Sequence, residues 1–269
     1  MPLRPRHVFG AALLIVCALL CPVSSARAQS LRIVTAEEPP TNYTRDGQLT
    51  GITVDIVREL LKRQNMDTPI EVYPWARAYA IAQQTPNVML FTAARTPERE
   101  VQGFSFIGPV TTRKHALFAR ADDTRQYPSL ATLYHERLLI AGMRGDWRAQ
   151  WVSDRSLNLY ATNSHVQSLR MLLSGRVDLA VLSDLELGPD LKAMGAAEGS
   201  VRLAYVIEER AAYILLSQGT ERATVTRWQS EFARLQESDF FRQLSARWSA
   251  TLGLPLRYTP GKGIHLEAR

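Results

Sequence analysis

Short apolar runs that alternate with segments of helical periodicity constrain the fold of this chain more than any other feature. Val88–Phe91 and Leu179–Leu182 each consist of consecutive apolar residues. Such runs are typical of strands buried on both faces of a parallel sheet. In contrast, a segment with Asp55 near its start, where the charge complements the helix dipole, has apolar residues on one face at helical spacing, namely Ile56, Val57, Leu60 and Leu61. Alternating strands and helices predict an α/β fold.

The alternation occurs in two series, which predicts two lobes rather than one continuous layer. Ser164 is a candidate cap for a helix in the second series, and Gln167 three residues later suggests a capping box. Polar segments after Ala119 and at Glu208–Arg210 suggest two crossings between the lobes, the second of them separating strands at 201–206 and 212–216. Ligands bind in clefts of this kind, at the carboxyl ends of parallel strands. The predicted division is a signal peptide at 1–28, lobe 1 at 29–119 plus 211–258, lobe 2 at 120–210, and a C-terminal tail at 259–269.

The first 28 residues have the features of a secretory signal peptide. Arg4 and Arg6 precede an apolar run, Val8–Leu20, and small residues end in an AxA site at Ala28. The run is shorter than the roughly 20 residues that a membrane-spanning helix needs. We therefore expect a soluble mature protein in the periplasm.

Both cysteines of the chain lie inside this leader. A lipoprotein signal is the competing interpretation, but Val16 and Leu20 precede Cys17 and Cys21 where a small residue is expected. We therefore expect cleavage without lipid attachment. The mature chain then has no cysteine and forms no disulfide.

Charge and composition argue against several classes of function. The mature chain carries 29 basic and 26 acidic residues, too even a balance to indicate a nucleic-acid partner. The five histidines are scattered, and the sequence has no Gly-rich phosphate motif. We therefore predict no metal site, no cofactor and no catalytic nucleophile.

Four motifs in order resemble the family 3 extracellular solute-binding proteins, the polar amino acid binding components of ABC importers. They are GQLTGITVDIVRELL at 47–61, ARTPERE at 94–100, LLSGRVDLAV at 172–181 and RWSATLGL at 247–254. The resemblance implies a two-lobed periplasmic-binding-protein type II fold, each lobe a mainly parallel sheet flanked by helices, that closes around a small-molecule ligand. It also implies an inner-membrane ABC permease as partner. We expect a monomer.

The ARTPERE motif supplies the strongest candidate for a ligand contact. The resemblance implies that Arg99 grips the α-carboxylate of an amino acid. Arg99 lies in a turn opened by Thr96 and Pro97, where a guanidinium can present two parallel N–H donors to a carboxylate. The alternative from spacing alone is a surface arginine paired with Glu98 or Glu100.

The residues just before this motif are predicted to border the cleft. Thr92, Ala93 and Ala94 follow a buried strand, so their backbone and the Thr92 hydroxyl can face the ligand. Ala94 departs from the pattern of amino-acid-binding relatives, because a serine hydroxyl there often helps to hold the ammonium. This departure puts an ordinary α-amino acid ligand in doubt.

Further candidates follow other strands of both lobes. In lobe 1, Glu38 can pair with an ammonium, Tyr43 can cover an apolar or cationic part of the ligand, and Trp75 either lines the cleft or packs beneath its helix. The lobe 2 candidates also follow strands or begin helices; they are Gly145, Asp146, Ser164, Ser183 and Asp184. Asp146 can accept from a ligand amine or cap the next helix. Ser183 aligns where relatives carry the acid that takes the ammonium, with Asp184 one position later.

The sequence favours a binding protein, with two alternatives. Periplasmic dehydratases of cyclic carboxylic acids use the same fold and need only an arginine and one carboxylate as acid or base, a role open to Glu38 or Asp146. A sensor module requires further domains, and about 17 residues follow Leu252. We therefore expect a non-enzymatic binding protein for an amino acid or a related amine or carboxylate.

Overall fold

The computed structural model describes residues 31–267. The predicted signal peptide, with Ala28 and both cysteines, lies outside the described residues. Across 31–267, the structure has no helix with the length and apolar character that a membrane span requires.

The first part of the described chain folds as the predicted alternation. Helix α1 has Asp55 in its first turn and Lys62 and Arg63 in its last, so charges at both ends complement the helix dipole. Its buried residues lie on the face that the apolar spacing predicts. The elements are β1 (Arg32–Thr35), β2 (Tyr43–Arg45), β3 (Gln48–Thr50), α1 (Ile52–Arg63), β4 (Ile70–Val72), α2 (Trp75–Gln84), β5 (Val88–Ala94), α3 (Pro97–Val101) and β6 (Ser105–Arg120).

The second part repeats the alternation and ends in two helices and a hairpin. Ser164 caps its helix as predicted, accepting from the Gln167 N–H at 3.1 Å; the Gln167 side chain in turn accepts from the Asn163 N–H at 2.8 Å. The elements are α4 (Leu130–His135), β7 (Leu139–Met143), α5 (Trp147–Asp154), β8 (Asn158–Thr162), α6 (His165–Leu173), β9 (Leu179–Ser183), α7 (Asp184–Ala193), β10 (Val201–Leu216), α8 (Arg222–Glu237), α9 (Phe240–Leu252), β11 (Leu256–Thr259) and β12 (Gly263–Leu266).

Two long antiparallel strands, β6 and β10, hold the sheet together. The strand order is β4-β1-β5-β10-β6-β9-β7-β8, with parallel pairing of β4, β1 and β5 and again of β9, β7 and β8. β5 pairs with the end of β10, and β9 pairs with His115–Ala119 of β6. The two parallel groups are therefore joined through the middle of β6 and β10.

This pairing corrects two local predictions. The segments 201–206 and 212–216 are not separate strands, because Glu208–Arg210 pair with Arg113–His115 inside the continuous strand β10. Likewise β6 continues beyond Ala119 to Arg120, and its change of partners begins at His115. The lobe boundaries at 119 and 210 stay a prediction.

The terminal aromatics form core, as their spacing predicts. Trp228 and Phe232 of α8 and Phe241 and Trp248 of α9 are buried and belong to the largest apolar cluster, which also covers β1 and α1. The stacked pair of Phe241 and Tyr258, with ring centroids 4.6 Å apart, ties β11 to this core.

Residues 259–269 are not the tail that the sequence predicts, because they include most of a hairpin. β12 pairs with β11, and Ile264 pairs with Thr111 of β6. Gly263 has φ 73°, and a Cβ there would lie 2.5 Å from the Val110 carbonyl. Close backbone contact at this glycine thus seats the hairpin on the sheet.

Candidate functional site

A bulge at the end of β5 shapes the predicted cleft. Ala93 pairs with Tyr213 and Phe91 pairs with Ile214, so Thr92 is an extra residue without a partner in the ladder. Its φ of 64° is rare for a β-branched residue. Strained positions and bulges occur preferentially at functional sites. The Thr92 hydroxyl is buried, has no hydrogen-bond partner among the described residues, and borders a small cavity.

Arg99 is buried beside the same cavity. Its side chain is only 3 % exposed, and its guanidinium lies 5.2 Å from the Trp75 ring centroid and 4.8 Å from that of Tyr79. Nη1 donates to the Ala94 carbonyl at 2.7 Å. Within residues 31–267 this is the only hydrogen bond of the guanidinium, and no carboxylate lies within 4.0 Å of it. Glu100 instead pairs with Arg95 at 2.5 Å, so the surface-pair interpretation of Arg99 is wrong.

An ion pair joins the first loop to β6 on another wall of the cavity. Arg113 Nη1 donates to Glu38 Oε1 at 2.6 Å, and it lies 3.6 Å from Glu186 Oε2. Glu38 thus already pairs with an arginine of the protein through Oε1, and its pairing with a ligand ammonium stays a prediction.

Arg148 is the centre of the charged network. It is 2 % exposed and donates to Asp146 Oδ1 at 2.8 Å, to Glu186 Oε1 at 2.8 Å and to Glu38 Oε1 at 3.4 Å. It also contacts the His165 ring nitrogen. Asp146 caps α5 through the Arg148 N–H at 2.7 Å, so the capping role predicted for Asp146 is confirmed.

The network fixes the charge of its members. Burial alone would raise the pKa of Asp146, but the charge and hydrogen bonds of Arg148 hold that pKa well below its usual range. Burial alone would also raise the pKa of Glu186, but the charge of Arg148 lowers it below its usual value. Burial, together with the charges of Arg148 and Arg113, lowers the pKa of His115 and keeps its ring neutral.

Glu38, His165 and Glu186 form a group of potential metal ligands. Their candidate ligand atoms lie within 4.8 Å of one another. Arg148 contacts all three side chains, so its guanidinium fills the space between them. The arrangement is that of a buried ion-pair cluster rather than a metal site.

The cavity unites half of the predicted site residues. It has a volume of about 20 Å³. Trp75 reaches across it, since its indole N–H donates to the Gly145 carbonyl at 2.8 Å. This bond and the contact of Glu38 with Arg148 join the two predicted lobes. The predicted residues that line the cavity are Glu38, Trp75, Thr92, Ala94, Arg99 and Asp146.

Other predicted residues lie elsewhere. Tyr43 packs against Trp248, with ring centroids 6.5 Å apart, because β2 and β3 form a separate hairpin over the core. Ser164 does not line the cavity, since its side chain caps α6. Asp184 accepts from the Lys114 N–H at 3.1 Å, and burial raises its pKa. Ser183 is buried at the start of α7.

Two further predictions have partial outcomes. Ala93 is buried in the core beneath the cleft rather than beside the cavity. Gly145 borders a neighbouring cavity of about 240 Å³, which Arg99 and Asp146 also line. Ligand contact by any of these residues stays a prediction.

Several charged or titratable residues in the cavity wall or next to it are absent from the prediction. Arg113 and His115 lie in β6, where the sequence shows only a polar interruption of an apolar strand. Arg148 directly follows Asp146 and Trp147 at the start of α5, and a charged residue inside a helix is expected to face solvent. Arg210 lies in β10 with its guanidinium 4.3 Å from the Trp147 centroid. Glu186, three residues after Ser183, has a local signal, the capping-box spacing.

Asp190 is a buried acid behind the network. It is 2 % exposed, and its Oδ2 has no hydrogen-bond partner within the described part of the chain. Burial, with added repulsion from Glu186 and Glu38, raises its pKa to about 8. At neutral pH the carboxyl is therefore largely protonated.

We expect Asp190→Asn to stabilise the protein at alkaline pH. A carboxyl with a raised folded pKa binds its proton more tightly in the folded state, so stability falls as pH rises from about 4 to about 8. Asparagine keeps the shape and cannot ionise. Urea unfolding should give equal stabilities below about pH 4, where the carboxyl is protonated in both states, and a gain of about 1 to 3 kcal/mol for the variant at pH 9. The exposed Asp154→Asn is the control, and equal stability of wild type and Asp190→Asn at pH 9 contradicts the assignment.

The fold and the cleft define a class of protein. The mixed α/β architecture is that of periplasmic-binding-protein type II, and similar solved structures share it. One is a histidine kinase sensor domain with similarity to periplasmic binding proteins, at 20 % identity and TM-score 0.73, covering 82 % of this chain and 97 % of that one. A second is an ancestral arginine-binding protein bound to arginine, at 16 % identity and TM-score 0.70, covering 82 % of this chain and 99 % of that one.

A third similar structure is the GluR0 ligand-binding core of Nostoc punctiforme in complex with L-glutamate. It has 18 % identity and a TM-score of 0.69, covering 81 % of this chain and 98 % of that one. The model of the bacterial extracellular solute-binding proteins, family 3, matches residues 31–251. The chain belongs to this family, as the motifs predict, and it has a solute-binding role. A search of curated protein sequences found no match.

Proposed function

We propose that the protein captures a small carboxylate-bearing solute, an amino acid or a related compound, in the periplasm and delivers it to an inner-membrane ABC importer. One observation carries the proposal: Arg99 is a buried cation that no acid within residues 31–267 neutralises. Buried charges are normally paired, because an unpaired charge loses its hydration without compensation. A ligand carboxylate supplies the missing partner and accepts from the N–H groups of Arg99 that make no other bond.

The geometry around Arg99 suits a carboxylate. Trp75 and Tyr79 stack on each other, and the central carbon of the guanidinium lies 5.2 and 4.8 Å from their ring centroids, which favours the cation at this position. The Thr92 hydroxyl adds a hydrogen-bonding group at the same cavity. The arginine and L-glutamate bound in two similar structures both carry a carboxylate, which supports this ligand class.

Capture requires the lobes to separate and close. Small-molecule sites usually have volumes of about 300 to 1,000 Å³, whereas this cavity has about 20 Å³. In the proposed capture, the contacts of Trp75 with Gly145 and of Glu38 with Arg148 break to let a solute into this cavity. Opening and closing about β6 and β10 accounts for both entry and retention.

The charge state of Asp146 argues against a dehydratase. A general acid needs a pKa near the working pH. Arg148 holds the pKa of Asp146 well below its usual range, although burial opposes this. Asp146 therefore stays ionised and has no proton to donate, and a carboxylate with so low a pKa is also a weak general base. This favours binding over catalysis.

Mass spectrometry of the bound solute tests the proposal. We expect denaturation of the purified protein to release a carboxylic acid in about equimolar amount, and the same compound to rebind to refolded protein. Incubation should return this compound unchanged. Recovery of a chemically altered product would establish an enzyme instead, and release of a compound without a carboxylate would contradict the role of Arg99. Loss of uptake of the labelled compound, in cells that lack the protein, tests delivery to the importer.

A further inference from the structure

The two acids that line the small cavity, Glu38 and Asp146, already pair with arginines of the protein. Glu38 Oε1 accepts from Arg113 at 2.6 Å and from Arg148 at 3.4 Å. Both oxygens of Asp146 accept from Arg148, at 2.8 and 3.1 Å. The two acids are 6 % and 7 % exposed. Asp146 thus has both oxygens engaged, whereas Glu38 keeps Oε2 without a partner among the described residues, so a ligand cation that used this oxygen would lie close to Arg113 and Arg148.

The remaining acid of the network is no more accessible. Glu186 Oε1 accepts from Arg148 at 2.8 Å and from the Ser183 N–H at 2.6 Å. Its Oε2 lies 3.6 Å from Arg113 Nη1. Glu186 does not line the cavity. An ammonium in the cleft therefore meets arginines before it meets this carboxylate.

Aromatic rings, the other usual partners of a cation, are also occupied. The Arg99 guanidinium lies 5.2 Å from the Trp75 centroid, and that of Arg210 lies 4.3 Å from the Trp147 centroid. The edge-to-face contact of His115 with Trp147, at 4.9 Å, further limits access to this ring. The cleft's rings thus serve the protein's own cations.

The charges on the cavity wall favour an anion. Four arginines line it, Arg99, Arg113, Arg148 and Arg210, against the two acids Glu38 and Asp146. Arg99 lacks an acidic partner within residues 31–267, and Arg210 pairs with Glu208 outside the cavity. Among the side chains that line the cavity, positive groups therefore outnumber acids, and Arg99 is the one left without an acidic partner to meet a ligand.

We infer that the cleft selects small organic acids that have no ammonium group, such as dicarboxylates or 2-oxo acids. The inference rests on the proposed function, that Arg99 binds a carboxylate in this cleft. An ammonium next to that carboxylate would lose its hydration beside arginines, and its nearest acid on the cavity wall would be Glu38, whose charge Arg113 and Arg148 already share. A 2-oxo or hydroxyl oxygen in the same position can hydrogen-bond to the Thr92 hydroxyl or to an arginine.

Matched ligand pairs test this selectivity. The purified protein, freed of co-purified compounds by unfolding and refolding, is titrated calorimetrically with succinate and L-aspartate, 2-oxoglutarate and L-glutamate, and 4-methyl-2-oxopentanoate and L-leucine. Within each pair that binds, we expect the acid without an ammonium to bind at least about tenfold more tightly. The compound released on denaturation should likewise contain no amino group.

The possible outcomes separate the inference from the proposed function. Tighter binding of the L-amino acid in a binding pair, or release of a compound that carries an amino group, overturns the selectivity and leaves carboxylate capture intact. Binding of putrescine, a diamine without a carboxylate, in place of all six acids overturns the proposed function as well. The absence of any binding or co-purified compound counts against both.

Discussion

Replacing Arg148 with methionine should cost the protein about 3 to 5 kcal/mol of unfolding free energy. Arg148 donates to Asp146, Glu186 and Glu38, and removing it leaves three buried carboxylates close together without their common partner. Breaking a buried ion pair on one side is costly for this reason. At about 2 to 4 °C per kcal/mol for a protein of this size, the melting temperature should fall by about 6 to 20 °C. Urea unfolding and calorimetry measure both quantities.

The exposed Arg144, on the loop before α5, provides the matched control. Arg144→Met removes the same charge from the same part of the chain and should change stability by less than about 0.5 kcal/mol. Acidification should partly restore Arg148→Met, because protonation neutralises the carboxylates that the arginine no longer pairs. A loss below about 1 kcal/mol in Arg148→Met would show that the buried network contributes little to folding.

The network also bears on how the cleft opens. Glu38 belongs to the first predicted lobe and Arg148 to the second, so the proposed opening of the cleft would break their contact. Glu186 and Asp146 lie in the same predicted lobe as Arg148, so their bonds to the guanidinium need not break. Under the proposed function, the contact of Glu38 with Arg148 would favour the closed state even without a ligand.

Local sequence signals were enough to predict the strands and the terminal helices. Apolar runs such as Val88–Phe91 lie in strands with no exposed residue, and the spacing of Trp228 and Phe232 marks a buried helix face. These signals depend only on residues that are near one another in the sequence. A run of apolar residues has to be buried in the core whichever strands it pairs with. The position of Arg99 beside the cleft followed from the family motif, since spacing alone favoured a surface residue.

Such local signals do not predict contacts between distant parts of the chain. Glu38 and Arg113 are separated by 75 residues, and Glu38 and Arg148 by 110, so no local pattern shows that they pair. The same limit explains why the sequence predicts Tyr43 in the cleft, whereas in the structure it packs on Trp248 of the last helix. Strand β12 was missed because its pairing partner β6 lies far earlier in the sequence.

Arg99→Met should weaken ligand binding by about ten- to a hundredfold while leaving the fold intact. A hydrogen bond to a charged group contributes roughly 1.5 to 3 kcal/mol, which corresponds to this change in affinity. Unlike Arg148, Arg99 has no acidic partner within residues 31–267, so its removal leaves no carboxylate unpaired. Replacing a buried unpaired charge with an apolar side chain of similar length should leave the melting temperature unchanged or raise it. Calorimetric titration with the released solute and thermal unfolding give the two readouts.

Arg95→Met is the matched control, because Arg95 lies four residues earlier in the same segment and its side chain is about half exposed. It should bind the solute like the wild type. Arg99 and Arg148 thus form a contrast between two buried arginines: loss of the first should impair binding with little effect on folding, and loss of the second should impair folding first. Unchanged affinity in Arg99→Met would remove this residue from the ligand site, and a large fall in its melting temperature would indicate a structural arginine instead.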